Sequence, residues 1–139
     1  MAKQVLTIEY EFDFTLFGIS CHEKDYRLSW ALNKGLNIDM AKTPDYQIET
    51  KKQKEALSYS AYSFEDTQRY LHFFLIANKG SQSLLLPEQK QADFLLLIKG
   101  TVNPESKLNF LKEIKASQDV LTAFEIDPNS LRSKENLLF

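Results

Sequence analysis

The sequence predicts an α+β fold: a mostly antiparallel sheet of about five to seven strands, with two helices packed on one face. Three observations predict it. Apolar residues recur with a period of two, or in short unbroken runs, over most of the chain, which is the mark of strands. Only two stretches carry apolar residues at helical spacing. The strand-like runs follow one another across short turns, so hairpins should dominate and neighbours should run antiparallel. The expected order is β-α-β-β-β-β-β-α-β.

The first strand is expected near the start. Leu6, Ile8, Tyr10, Phe12, Phe14 and Leu16 alternate with Thr7, Glu9, Glu11, Asp13 and Thr15, giving one buried and one wet face. Ser20-Cys21-His22-Glu23 then has capping-box spacing, with the serine hydroxyl accepting from the Glu23 amide. Leu28, Ala31, Leu32, Gly35 and Leu36 make the apolar stripe of the first helix, which Lys34-Gly35 or Asn37 should end. Tyr26 and Trp30 stand one turn apart on a flank of that stripe.

From Asp45 onward the texture becomes β. Tyr46 and Ile48, then Leu57, Tyr59 and Ala61, alternate with polar residues, and Ala61-Tyr62 breaks the alternation as a bulge or strand end would. Glu65-Asp66 reads as a turn. Residues 69–77 (RYLHFFLIA) are apolar on both parities, as a strand in the middle of a covered sheet should be. Asn78-Lys79-Gly80-Ser81 reads as a hairpin turn with Gly80 at positive φ. Leu84, Leu85 and Leu86 read as the returning strand, which Pro87 stops because it has no amide to donate.

Residues 92–99 (ADFLLLIK) should form another strand, ended by Gly100. Asn103-Pro104-Glu105 supplies an N-cap, a proline at the first helical position and an acid in the first turn. Leu108, Leu111 and Ile114, with Phe110 beside them, give the second helix its apolar face. Val120, Leu121, Ala123, Phe124 and Ile126 make a final strand, and the tail Leu137-Leu138-Phe139 is expected to pack on its own sheet, the alternative being that it docks on a second subunit. No repeat, low-complexity tract or linker divides the 139 residues, so residues 1–139 are expected to form a single α+β domain.

Charge and cysteine usage exclude several classes. The formal net charge of −2 disfavours nucleic-acid binding, which normally needs a basic face. The one basic run, Lys51, Lys52 and Lys54, is flanked by Glu49 and Glu55 and reads as a solvated segment. Cys21 is the sole cysteine, so a disulfide scaffold cannot form. The opening Met1-Ala2-Lys3-Gln4 leads straight into a strand pattern without an apolar signal-peptide core. No apolar run approaches the ~18 residues that span a bilayer. A cytoplasmic protein with no membrane contact is expected.

One stretch carries a signature. Leu86-Pro87-Glu88-Gln89-Lys90-Gln91-Ala92-Asp93-Phe94 resembles the motif of the IPExxxVDY family of small uncharacterised bacterial proteins. Pro87, Glu88 and Asp93 match its Pro, Glu and Asp at the right spacing. Leu86, Ala92 and Phe94 replace its Ile, Val and Tyr conservatively, and Phe94 lacks the hydroxyl that a phenol-dependent role would need. Residues 14–20 (FTLFGIS), 26–33 (YRLSWALN), 78–80 (NKG) and 134–139 (KENLLF) resemble the family as well. The resemblance implies no activity. Its implied gene neighbourhood, near ribonuclease III and pyruvate kinase, opens an RNA-associated accessory role as one alternative.

No catalytic set can be assembled. Glu88 and Asp93 flank a turn and could line a small-molecule pocket with His72 or Arg69, or could simply satisfy turn amides and a basic side chain. Glu9, Glu11 and Asp13 share one strand face, whereas a compact cation site converges from different elements. His22 and His72 belong to no metal-ligand spacing, so no metal and no cofactor are expected. Cys21 stands beside His22, but adjacent residues at a helix start point apart. Nucleophile-elbow and phosphate-loop motifs are absent from the sequence. Tyr26, Arg27, Trp30 and Asn33 form a recognition surface if the helix turns them outward. The expectation is therefore a non-enzymatic interaction or adaptor module with a protein partner or self-association, the alternative being a small-molecule binder near Glu88 and Asp93.

Overall fold

A computed structural model describes residues 14–48, 56–80 and 83–137. It shows an α+β architecture, a six-stranded antiparallel sheet in the order β2-β5-β6-β7-β1-β8 with a separate two-stranded sheet, β3-β4. The elements are β1 (Phe14–Ser20), α1 (Asp25–Leu36), β2 (Ala41–Lys42), β3 (Tyr46–Ile48), β4 (Leu57–Tyr59), β5 (Ala61–Asp66), β6 (Leu71–Ala77), β7 (Phe94–Lys99), α2 (Pro104–Ala116) and β8 (Thr122–Ile126). Two short 3-10 turns, Pro128–Ser130 and Lys134–Leu137, follow.

The sheet separates two cores. On one side Phe17, Ile19, Phe73, Leu75, Leu96 and Ile98 pack against Leu28 and Leu32 of α1 and Phe110 and Ile114 of α2. On the other side Leu16, Ile76, Leu95, Leu97 and Ile126 meet the β3-β4 hairpin, the segment around Leu85, Leu86 and Ala92, and Leu131 and Leu137 from the end of the chain. Both faces are therefore covered, one by helices and the other by the β3-β4 hairpin together with irregular chain. This explains why β1 is buried along nearly its whole length, Thr15 included. The expectation of a wet face on that strand does not hold for residues 14–20, because β1 lies between β7 and β8 with packing on both sides. The earlier part of that expectation, residues 6–13 with Glu9, Glu11 and Asp13, lies outside the described residues.

Local signals fix the helices. Asn103 caps α2 by accepting from the Ser106 amide at 2.8 Å, with Pro104 in the first turn. Asn37 ends α1 in the left-handed conformation, φ 57°. The capping box at Ser20 does not form. Ser20 is still in β1 opposite Thr122, and its hydroxyl donates to the Gln91 carbonyl at 2.6 Å, while α1 begins only at Asp25. In α2 the buried stripe is Phe110 and Ile114, with Leu111 half-buried; Leu108 faces outward.

The strand expectations also shift. The break at Ala61-Tyr62 is real but falls one residue earlier, at Ser60, where the chain leaves the small sheet and enters the large one. Glu65 and Asp66 finish β5, and the turn follows them. Leu84, Leu85 and Leu86 are not a strand: among the described residues one bridge, Lys79 to Leu84, is all the strand pairing they make, and Leu85 and Leu86 are buried as irregular chain. Gly80 has no positive φ. It is needed for space, since a Cβ there would stand 2.6 Å from the Tyr59 ring. Of the tail, Leu137 packs on the parent fold, while Leu138 and Phe139 lie outside the described residues.

Candidate functional site

The signature stretch is organised around a residue outside it. Asn78, directly after β6, is fully buried. Its Nδ2 donates to the carbonyls of Gln89 (3.0 Å) and Ala92 (2.9 Å), and its Oδ1 accepts from the Leu86 amide (2.7 Å). Its own amide donates to the Asp93 carbonyl at 3.0 Å, and its carbonyl accepts from the Leu85 amide at 2.8 Å. One side chain thus supplies partners for the buried Leu86 amide and Ala92 carbonyl, and a second donor for the Gln89 carbonyl, which also accepts from the Ala92 amide at 3.1 Å. The sequence places Asn78 at a turn. The signal that it is a core residue is its position directly after a strand apolar on both parities.

Asp93 and Glu88 serve different parts of the molecule. The largely buried Asp93 carboxylate accepts from the Cys21 amide at 2.9 Å and pairs with Lys79 Nζ at 2.7 Å, tying the link between β1 and α1 to the turn after β6. Glu88 reaches the chain's end: Oε2 accepts from the amides of Arg132 (2.6 Å) and Ser133 (3.0 Å), and Oε1 accepts from the Ser133 hydroxyl. Burial pushes the Glu88 carboxyl up, but the hydrogen bonds from the Ser133 hydroxyl and from the amides of Glu88, Ser133 and Arg132 together hold it below its ordinary value. Asn136 adds a further pin, donating to the Leu85 carbonyl at 2.8 Å.

These contacts separate residues that the pocket alternative joins. Arg69 pairs with Asp66 at 2.6 Å, and His72 stands across from Glu65 and Lys99 on neighbouring strands, stacked on Phe74. Neither meets Glu88 or Asp93. Pro87 is exposed, and Phe94 is buried in the helix-side core.

Of the cavities among the described residues, two bear on the pocket alternative. One, of about 320 Å³, is lined by Cys21, His22, Glu23, Ala77, Lys79, Asp93 and Phe94. Burial, opposed by a hydrogen bond with the Glu23 backbone and reinforced by the charges of Asp119, Glu23 and Asp93, pushes the Cys21 thiol up, away from the thiolate form that a nucleophile needs. The other, of about 460 Å³, opens at the far end of the sheet beside Glu65, His72, Tyr70 and Lys99. Among the described residues no group of three or more His, Cys, Asp or Glu could hold a metal ion. No described helix is long and apolar enough to cross a membrane. Lys51, Lys52 and Lys54 lie outside the described residues.

Helix α1 presents the opposite situation. Tyr26 and Trp30 are 58% and 57% exposed, one turn apart on its outer side. Lys34 Nζ lies 5.3 Å from the centre of the Trp30 ring. Arg27 is held by Asp119 at 3.1 Å and Glu23 at 3.4 Å, yet its side chain stays half exposed. Beside Trp30 a groove of about 270 Å³ runs between α1 and the end of α2, lined by Lys34, Gly35, Ala116, Ser117 and Gln118. Asn33 does not belong to this surface. Its amide clasps the main chain of Met40, donating to the carbonyl at 3.1 Å and accepting from the amide at 2.8 Å.

Comparison of the chain with protein-family models and with curated proteins finds no match.

Proposed function

We propose that this chain is a non-enzymatic interaction module that receives a protein partner on the outer face of α1. The observation that carries the reading is the exposure of Tyr26 and Trp30 together on one helix face. Large aromatics are the side chains that interfaces rely on, because they bury much area for little conformational entropy. Arg27, fixed by two carboxylates, and the groove beside Trp30 add a preorganised cation and a place for an apolar anchor. The residues resembling the IPExxxVDY signature then act as an internal brace, and the protein works in the cytoplasm.

The test is affinity capture from the protein's own cells with three forms: wild type, a Tyr26→Ala, Trp30→Ala pair, and Glu88→Ala. A partner retained by wild type and Glu88→Ala but lost from the aromatic pair supports the reading. A partner lost only from a folded Glu88→Ala protein contradicts it. A second reading, small-molecule binding, is favoured by the cavity at Glu65, His72 and Lys99 rather than by Glu88 and Asp93. Its signature is a ligand-induced rise in melting temperature that Lys99→Ala removes.

A further inference from the structure

We infer that the outer edge of β8 is a self-association edge, at which two copies of the chain pair β8 with β8 antiparallel about a two-fold axis. The proposal does not rest on the α1 surface. Of the two edges of the large sheet, β2 is only two residues long, whereas β8 runs five residues, Thr122–Ile126. Among the described residues no strand pairs with its outer side. An open edge is usually blunted by shortness, an outward lysine, a proline or a bulge. The sequence Thr-Ala-Phe-Glu-Ile has no lysine and no proline within it.

Two exposed leucines flank this edge. Leu121, just before the strand, is 61% exposed, and Leu108 of α2 is 62% exposed. The contacts of α2 locate Leu108. Phe110 meets Phe73 of β6 edge-on at 5.8 Å, Ser117 stands where a Cβ on Gly35 of α1 would collide, and Lys107 reaches Glu125 of β8 at 3.1 Å. At about 100° per residue, Phe110 and Ser117 fall on one side of Lys107 and Leu108 on the other, the flank away from α1. Leu108 therefore borders the open edge from the helix side.

Charge permits a self-complementary pair. Glu125 is the strand's single charge and already has Lys107 of its own chain. In a two-fold register centred on Phe124, Glu125 faces Ala123 of the second copy, and the two Glu125 side chains are diagonal neighbours about 7–8 Å apart, each neutralised by Lys107 of its own chain. A five-residue strand pair is small for a stable interface, so burial of Leu108 and Leu121 is part of the expected contact.

The experiment is sedimentation equilibrium of the full chain over a concentration series, with a Leu108→Lys, Leu121→Lys, Thr122→Lys triple variant alongside. A photoreactive residue at position 122 is cross-linked in a mixture of light and heavy isotope-labelled protein. The expected result is a wild-type dimer, weakened about tenfold or more in the triple variant, with light-to-heavy cross-links mapping to residues 120–126. Because all three substitutions are at surface positions, loss of the fold is checked by circular dichroism, and Thr122→Lys alone serves if the triple variant unfolds. A wild-type monomer at every concentration overturns the proposal, as does a dimer indifferent to both variants. Cross-links confined to residues 1–13 of the same molecule also overturn it, since the chain would then cover its own edge.

Discussion

The brace around Asn78 and the outer face of α1 invert each other. Around Asn78, polar groups that look chemically interesting in the sequence are spent on backbone: Asn78 on Leu86, Gln89 and Ala92, Asp93 on Cys21, and Glu88 on Arg132 and Ser133. On α1, aromatic groups that look like core are left in water. The difference teaches that commitment, rather than residue type, marks availability. A carboxylate that already accepts from buried or capping amides has little capacity left for a ligand, and removing it costs stability. An exposed Trp contributes little to the fold, and its area remains for a partner.

That contrast can be broken most strongly at its centre. Asn78→Ala should destabilise the fold by about 3 kcal/mol or more, since it leaves the buried Leu86 amide and Ala92 carbonyl without partners and removes one of two donors from the Gln89 carbonyl. Urea unfolding measures it, and a loss below about 1 kcal/mol would mean that water replaces the side chain. Asp93→Ala should cost less, about 1–2 kcal/mol, because Lys79 is exposed and only the Cys21 amide is stranded.

Glu88→Ala should cost about 1 kcal/mol, and it carries a pH signature. The folded-state value of this carboxyl lies below its unfolded value, so its contribution is complete above the ordinary glutamate range, about 4.3, and fades as pH falls through the folded value. The stability difference between wild type and Glu88→Ala should therefore shrink on acidification. A difference that stays constant would show that the contact to Ser133 does not depend on charge. Smallest of all, Trp30→Ala should change the unfolding free energy by no more than about 0.5 kcal/mol, as expected for a surface side chain.

What the sequence reveals follows the range of the interaction that decides each feature. The cap at Asn103-Pro104 and the stop at Asn37 are local and legible. So is β6, whose apolar residues on both parities reflect a strand covered on two sides. Leu84 to Leu86 are misread because an apolar run looks the same whether it pairs as a strand or is held by a distant asparagine. Leu108 sits at helical spacing with Ile114 and Leu111, yet α2 turns its buried stripe towards Phe110 to meet Phe73. Tyr26 and Trp30 are visible as a pair, but their direction is set by how α1 lies on the sheet, which periodicity alone leaves two-sided. Asn33 illustrates the converse, a polar neighbour of that pair drawn inward by Met40.

The contrast itself is tested most directly by placing a photoreactive residue in turn at positions 26, 30, 70 and 88 and cross-linking in living cells. Tyr70 is exposed at a turn away from α1 and serves as the control for exposure alone. The account predicts one discrete partner band at positions 26 and 30 and none at 70 or 88. A band at 88 without one at 26 or 30, or equal bands at 30 and 70, would contradict it.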